Sequence, residues 1–168
     1  MSEIDEQLRE IIPRLRRFAV SLTRNSSSAD DLVQASLERA LSGWSGKRAV
    51  GDVRAWLFAI LYRQFLDAHR RSRRYARMLE LFTGRDDAEP STERTVIAQS
   101  TLQAFDHLPA EQRALLLMVS VEGLSYKEVA QILNVPSGTV MSRLSRARQA
   151  LRQLSDGEIS SPSLRILK

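Results

Sequence analysis

The sequence contains no cysteine and only two histidines, His69 and His107. Disulfides, thiol nucleophiles and cysteine-based zinc sites are therefore excluded. Two histidines so far apart offer no local metal-ligand spacing. No Gly-rich phosphate loop and no nucleophile elbow is present, so the chain shows no cofactor motif and reads as a non-enzyme. Apolar runs stop well short of the roughly 18 to 20 residues that span a bilayer. The opening MSEIDEQLRE is acidic rather than signal-like. The expectation is a cytoplasmic protein with no membrane insertion. Seven Gly and five Pro in 168 residues leave long segments uninterrupted, and no period-two pattern marks a strand. The fold class expected is all-α.

Positive charge is what the chain has in excess. Its formal net charge is +5 and its sequence pI about 10.2, a balance that suits nucleic acid, an acidic partner or an anionic surface. Residues 1–80 hold fifteen Lys/Arg against ten Asp/Glu, residues 81–100 two against four, and residues 101–154 six against four. An acidic segment thus separates two basic blocks.

The first block has helical spacing throughout. Leu8, Ile11, Leu15, Phe18 and Leu22 line one face, with Pro13 a candidate kink. Ser28 and Asp31 fit a capping-box spacing that opens a helix to about Ser42, with Val33, Leu37, Ala40, Leu41 and Trp44 as its buried stripe. Asp52 is placed to cap the next helix, which carries Trp56, Leu57, Ile60 and Leu61 into a basic end. The segment FTGRDDAEPSTER, Phe82 to Arg94, has no apolar stripe and reads as a linker. Its reach of roughly 40 Å would hold two small domains on separate targets. The organisation expected is a domain over 1–80, a linker over 81–93, a second domain over 94–154 and a disordered tail over 155–168.

The second block carries the sharper motif. Ser125 and Glu128 form a full capping-box pattern, Asn134 is a residue that tolerates a left-handed helix stop, and Ser137 is placed to cap the last helix. The segment LSYKEVAQILNVPSGTVMSRLSRARQAL is then two helices around a tight turn, a helix-turn-helix whose second helix suits the major groove. Val140, Leu144, Ala147, Leu151 and Leu154 are its inner face. Thr139, Met141, Ser142, Ser145 and Arg146 occupy the front, and Arg143 and Arg148 are placed to reach bases or phosphates. In the first block, Arg63, His69, Arg70, Arg71, Arg73 and Arg74 make a basic helix end suited to phosphates. Trp44, Trp56, Tyr62 and Phe65 are candidates either for the core or for stacking on unpaired bases.

YKEVAQILNVPSGTVMSRLSRARQAL resembles region four of the extracytoplasmic-function (ECF) bacterial sigma factors, which reads the minus-thirty-five promoter element. SADDLVQASLERALSGW resembles region two-point-two of that family, and DVRAWLFAILYRQFLDAHRRSRR the adjoining regions that open and read the minus-ten element. The resemblance covers roughly residues 5–154. It implies that Asp31, Gln34, Glu38 and Arg39 face the clamp helices of the largest subunit of core RNA polymerase. It also implies promoter DNA and an anti-sigma factor as partners, with the chain on the nucleoid when active or held at the membrane by that anti-sigma factor. Where many relatives carry Ala-Arg-Asn this chain has Tyr62, Arg63 and Gln64, and Met141 stands where relatives often place a basic residue.

Two rival readings remain at this stage. A sigma-like decoy would sequester an anti-sigma factor and never engage polymerase; no receiver-like α/β pattern accompanies the motifs here. A stand-alone helix-turn-helix regulator would bind symmetric half-sites without polymerase, and it leaves the first block unexplained.

Overall fold

The computed structural model describes residues 3–43, 52–83 and 100–160. They form α1 (Glu3–Thr23), α2 (Ser26–Ser42), α3 (Val53–Thr83), α4 (Ser100–His107), α5 (Ala110–Leu116), a π-helical turn (Leu117–Val121), α6 (Tyr126–Leu133) and α7 (Ser137–Ser160). No strand occurs among the described residues.

In the first block α1 buries Ile11, Leu15, Phe18 and Leu22, and Pro13 sits inside a helix that continues past it. Phe18 meets Phe58 of α3 with ring centroids 5.2 Å apart. α2 turns Ala29, Val33, Ser36 and Ala40 inward. Ser36 donates to the Leu32 carbonyl at 2.6 Å, so its burial leaves no hydrogen bond unmet. This face differs from the expected stripe: it is rotated toward the small residues, and Leu41 is left 67% exposed. The α2 cap differs as well. Asn25, not Ser28, is the N-cap, accepting from the Ser28 N–H at 2.9 Å, because the helix already starts at Ser26. Asp52 does cap α3, accepting from the Arg54 and Ala55 N–H groups at 3.0 and 3.4 Å. Trp44 lies outside the described residues.

α3 runs to Thr83, three residues into the segment read as linker. Every residue from Arg70 to Phe82 is exposed, so the last turns stand clear of the core. α7 runs to Ser160, so the first six residues of the expected disordered tail continue a helix; residues 161–168 lie outside the described ones.

In the second block the apolar helix that starts at Ala110 changes pitch. It passes from α5 into the π-turn before Gly123 stops it at φ +64°. The Leu124 N–H reaches back to the Met118 carbonyl at 2.9 Å. The inserted residue of a π-turn is a known marker of functional positions, and here it sets the direction of Glu122.

The two blocks share one apolar core. α3 packs on α6 and α5, and α1 packs on α5 and the π-turn. Glu128 links local and tertiary structure. One carboxylate oxygen accepts from the Ser125 N–H at 2.7 Å, completing the capping box with Ser125 Oγ, which accepts from the Glu128 N–H at 3.1 Å. The other pairs with Arg54 of α3. Burial pushes the Glu128 carboxyl up, but the bonds from Arg54 and the Ser125 backbone outweigh it and hold the group below its ordinary value of 4.5.

A carboxyl lowered in the folded chain contributes stability that is complete above its unfolded value and is lost as pH falls through the folded one. Glu128→Gln should therefore destabilise the chain by about 1 kcal/mol at pH 7, the scale of a weakened cap. Denaturation across pH 2 to 7 should show that difference shrinking once pH drops below 4.5. Gly123→Ala should cost about 1 kcal/mol from the left-handed backbone alone, since an added Cβ meets nothing within 4 Å; urea denaturation with an unchanged m-value checks it.

Candidate nucleic-acid interface

The helix-turn-helix is built by its stops. Asn134 adopts φ 54° and ψ 50°, and its N–H and that of Val135 close the end of α6 on the Gln131 and Ala130 carbonyls. Val129, Ala130, Ile132 and Val140 fill the junction and are buried. Ser137 is the first residue of α7 rather than its cap, because the Thr139 and Val140 N–H groups already close on the Pro136 carbonyl. α7 buries Val140, Leu144 and Ala147 and leaves Ser137, Met141, Ser142, Arg143, Ser145, Arg146 and Arg148 exposed, with Thr139 half-buried. Ser142 Oγ donates to the Thr139 carbonyl at 3.1 Å.

Sequence spacing missed part of this front. Lys127 and Gln131 of α6 line one shallow depression with Asn134, Pro136 and Ser137. They therefore adjoin the start of α7 and extend its polar surface. Their i, i+4 spacing in YKEVAQ was the available signal.

At the end of α3, Arg63, Arg70, Arg71, Arg73 and Arg74 are exposed. His69 differs from them: it is half-buried and stacks on Phe65 at 5.8 Å between centroids. Burial, then the charges of Arg113 and Arg73, hold its imidazole below the ordinary 6.5.

Of the aromatic candidates, Tyr62 and Phe65 are buried and Trp56 is half-buried. Burial, with the Glu111 carboxylate adding, pushes the Tyr62 phenol up to about 12 against the opposing charges of Arg143 and Arg70. Its ring lies at the boundary between the two domains, in a cavity of about 260 Å³ that it lines with Glu111, Gln112, Leu115, Leu133, Arg143 and Arg146.

The face of α2 opposite its buried stripe presents Asp31, Gln34, Glu38 and Arg39, all exposed. Gln34 donates to Glu38 at 3.0 Å. Asp30, beside them, accepts from Arg16 of α1 at 2.7 and 3.4 Å, and that hydrogen bond, with its charge, raises the Arg16 guanidinium further. The arrangement separates three surfaces: the α7 front, the basic end of α3 and the mixed-charge face of α2. Among the described residues no helix is long and apolar enough to cross a membrane.

Comparison with known proteins finds a relative for each of the two helical units. Residues 98–151 match the family model for sigma-70 region 4, and residues 8–62 match that for the Sigma2 domain of PhyR. The chain is 36% identical to the ECF RNA polymerase sigma factor EcfG of Rhodopseudomonas palustris over 85% of its own length and 80% of that protein's. It is 35% identical to the ECF RNA polymerase sigma factor SigE of Mycolicibacterium smegmatis over 90% of its length and 61% of that protein's. Among solved structures it superposes on the sigma factor RpoE of Bartonella quintana, determined in complex with the anti-sigma factor NepR, with a TM-score of 0.69 and 29% identity over 93% of this chain and 98% of that one. A chain that matches ECF sigma factors over most of both lengths, with both of their helical units present and in order, belongs to the ECF RNA polymerase sigma factor family.

Proposed function

We propose that this chain is an alternative sigma factor that binds core RNA polymerase and directs it to a set of promoters in a stress or environmental response. The observation that carries the reading is the exposed cationic front of α7, set behind the capped helix α6 and its left-handed stop, on the same chain as the polar face of α2. Residues 1–80 act as region two: Asp31, Gln34, Glu38 and Arg39 dock on the clamp helices, and Arg63, His69, Arg70, Arg71, Arg73 and Arg74 hold the minus-ten element. Residues 94–154 act as region four, where Ser137, Thr139, Met141, Ser142, Arg143, Ser145, Arg146 and Arg148 read the minus-thirty-five element. The chain works in the cytoplasm, on the nucleoid when active, and an anti-sigma factor, one able to hold it at the membrane, keeps it idle.

The decoy reading has one observation in its favour, the match of residues 8–62 to the Sigma2 domain of PhyR, a protein that in Bartonella quintana is an anti-anti-sigma factor complexed with the anti-sigma factor NepR. The two readings part at polymerase, which a decoy never engages.

Arg146→Ala separates the roles. A bidentate arginine–guanine contact is worth about 1–3 kcal/mol, so run-off transcription from a responsive promoter should fall about 10- to 100-fold while affinity for core polymerase stays unchanged. Equal loss of both activities would contradict the division of labour.

A further inference from the structure

Residues 101–154 contain four carboxylates, Asp106, Glu111, Glu122 and Glu128. Each is paired with an arginine of the first domain: Arg24 with Asp106 at 3.5 Å, Arg70 with Glu111 at 3.9 Å, Arg14 and Arg17 with Glu122 at 3.5 and 2.8 Å, and Arg54 with Glu128. The cations all come from one domain and the anions all from the other.

Glu122 is the centre of this row. Its side chain is 1% exposed, a setting carboxylates tolerate only when paired and hydrogen-bonded. Arg17 grips it with two parallel bonds, Nε to Oε1 at 2.9 Å and Nη2 to Oε2 at 2.8 Å. Arg14 adds a bond from Nη2 to the Glu122 backbone carbonyl. Every one of these donors belongs to α1. The residue is aimed there by the π-turn before it and the left-handed Gly123 after it. At the other end, Arg24 also sits in left-handed backbone, φ 58°. That conformation is unfavourable for an arginine, and it points the side chain at Asp106.

We infer that Glu122, clamped by Arg14 and Arg17, is the bolt of an interdomain latch that holds the free chain closed. With the domains together the buried carboxylate needs both arginines. With the domains apart it is hydrated and needs neither. Both states are therefore acceptable, and the row of ion pairs sets the balance between them. The consequence for promoter reading rests on the functional proposal above: in the closed form Arg70 is engaged by Glu111, and Arg143 and Arg146 line a cavity against Tyr62 of the other domain. The closed form thus keeps the two DNA-facing surfaces from spreading over two separate promoter elements. Arg143 and Arg146 stay exposed in this form, so what opening changes is the distance between the two surfaces rather than access to either.

The absence of native cysteine makes the test direct. Full-length chain carrying Ser27→Cys and Gln149→Cys, both exposed positions, is labelled with a donor–acceptor dye pair, and single-molecule energy transfer is read alongside X-ray scattering. The parent should populate one compact state in low salt. Glu122→Gln should lower the ratio of closed to open molecules about tenfold or more, and Arg14→Glu/Arg17→Glu should do the same. Adding Glu122→Arg to that double variant should restore closure, which mere packing damage would not allow. Unchanged transfer and unchanged radius of gyration in both the Gln and the double-Glu variants, with helical circular dichroism intact, would overturn the latch. If Glu122→Gln loses helicity, Arg17→Gln, at a side chain 55% exposed, carries the same decision. The readout involves neither polymerase nor promoter, so its failure leaves the sigma reading standing, and failure of that reading leaves the latch standing.

Discussion

The structure hangs on α3, one helix with obligations to two domains. Its first half is the centre of the first domain, where Leu57, Phe58, Leu61 and Phe65 are buried against α1 and α2. The same half gives Arg54 to the capping box of α6 and Tyr62 to the cavity facing α7. Its second half leaves the core altogether and presents arginines to solvent. At 31 residues and 1.5 Å per residue it spans roughly 46 Å. It thus connects core packing, helix-turn-helix geometry and the candidate minus-ten surface in one rigid element. Blocks of this size are small for independent cores, and joining them on α3 enlarges the apolar interior that each commands.

Charge is arranged on the same plan. The second domain directs its four carboxylates toward the first and keeps Arg146, Arg148 and Arg152 on the exposed side of α7. An exposed ion pair contributes about 0–1 kcal/mol and weakens with salt, so the pairs at Asp106 and Glu111 bias the domains without locking them. Glu122 is different because it is desolvated, and a desolvated carboxylate that loses its partners must find water. A domain pair held in this way is stable as a resting state and remains separable by a competitor for the arginines.

Much of the fold was legible because its signals are local. Ser125 and Glu128 announce the capping box, Asn134 the left-handed stop, and the three-four spacing of Val140, Leu144 and Ala147 the inner face of α7; the structure has each of them. Competing local signals misled. Asn25 and Ser28 both suit a cap, and Asn25 takes it. Leu41 continues an apolar spacing, but the close approach of α2 to α1 selects the smaller Ala29, Ser36 and Ala40. The site was legible in its front and not in its back. The exposed residues of α7 follow from helical period alone, whereas the pairing of Glu122 with Arg14 and Arg17 joins residues more than a hundred apart, and no spacing within either helix encodes it. Tyr62 reads equally as core or base stacking for the same reason: what covers it includes a second domain.

The measurement that tests the functional account most directly is a titration of the purified chain against core RNA polymerase, which requires no knowledge of the promoter. A sigma factor should bind with Kd below about 100 nM, roughly −9.5 kcal/mol. A well-folded helical sample that shows no binding at several micromolar would contradict the account and turn attention to the decoy.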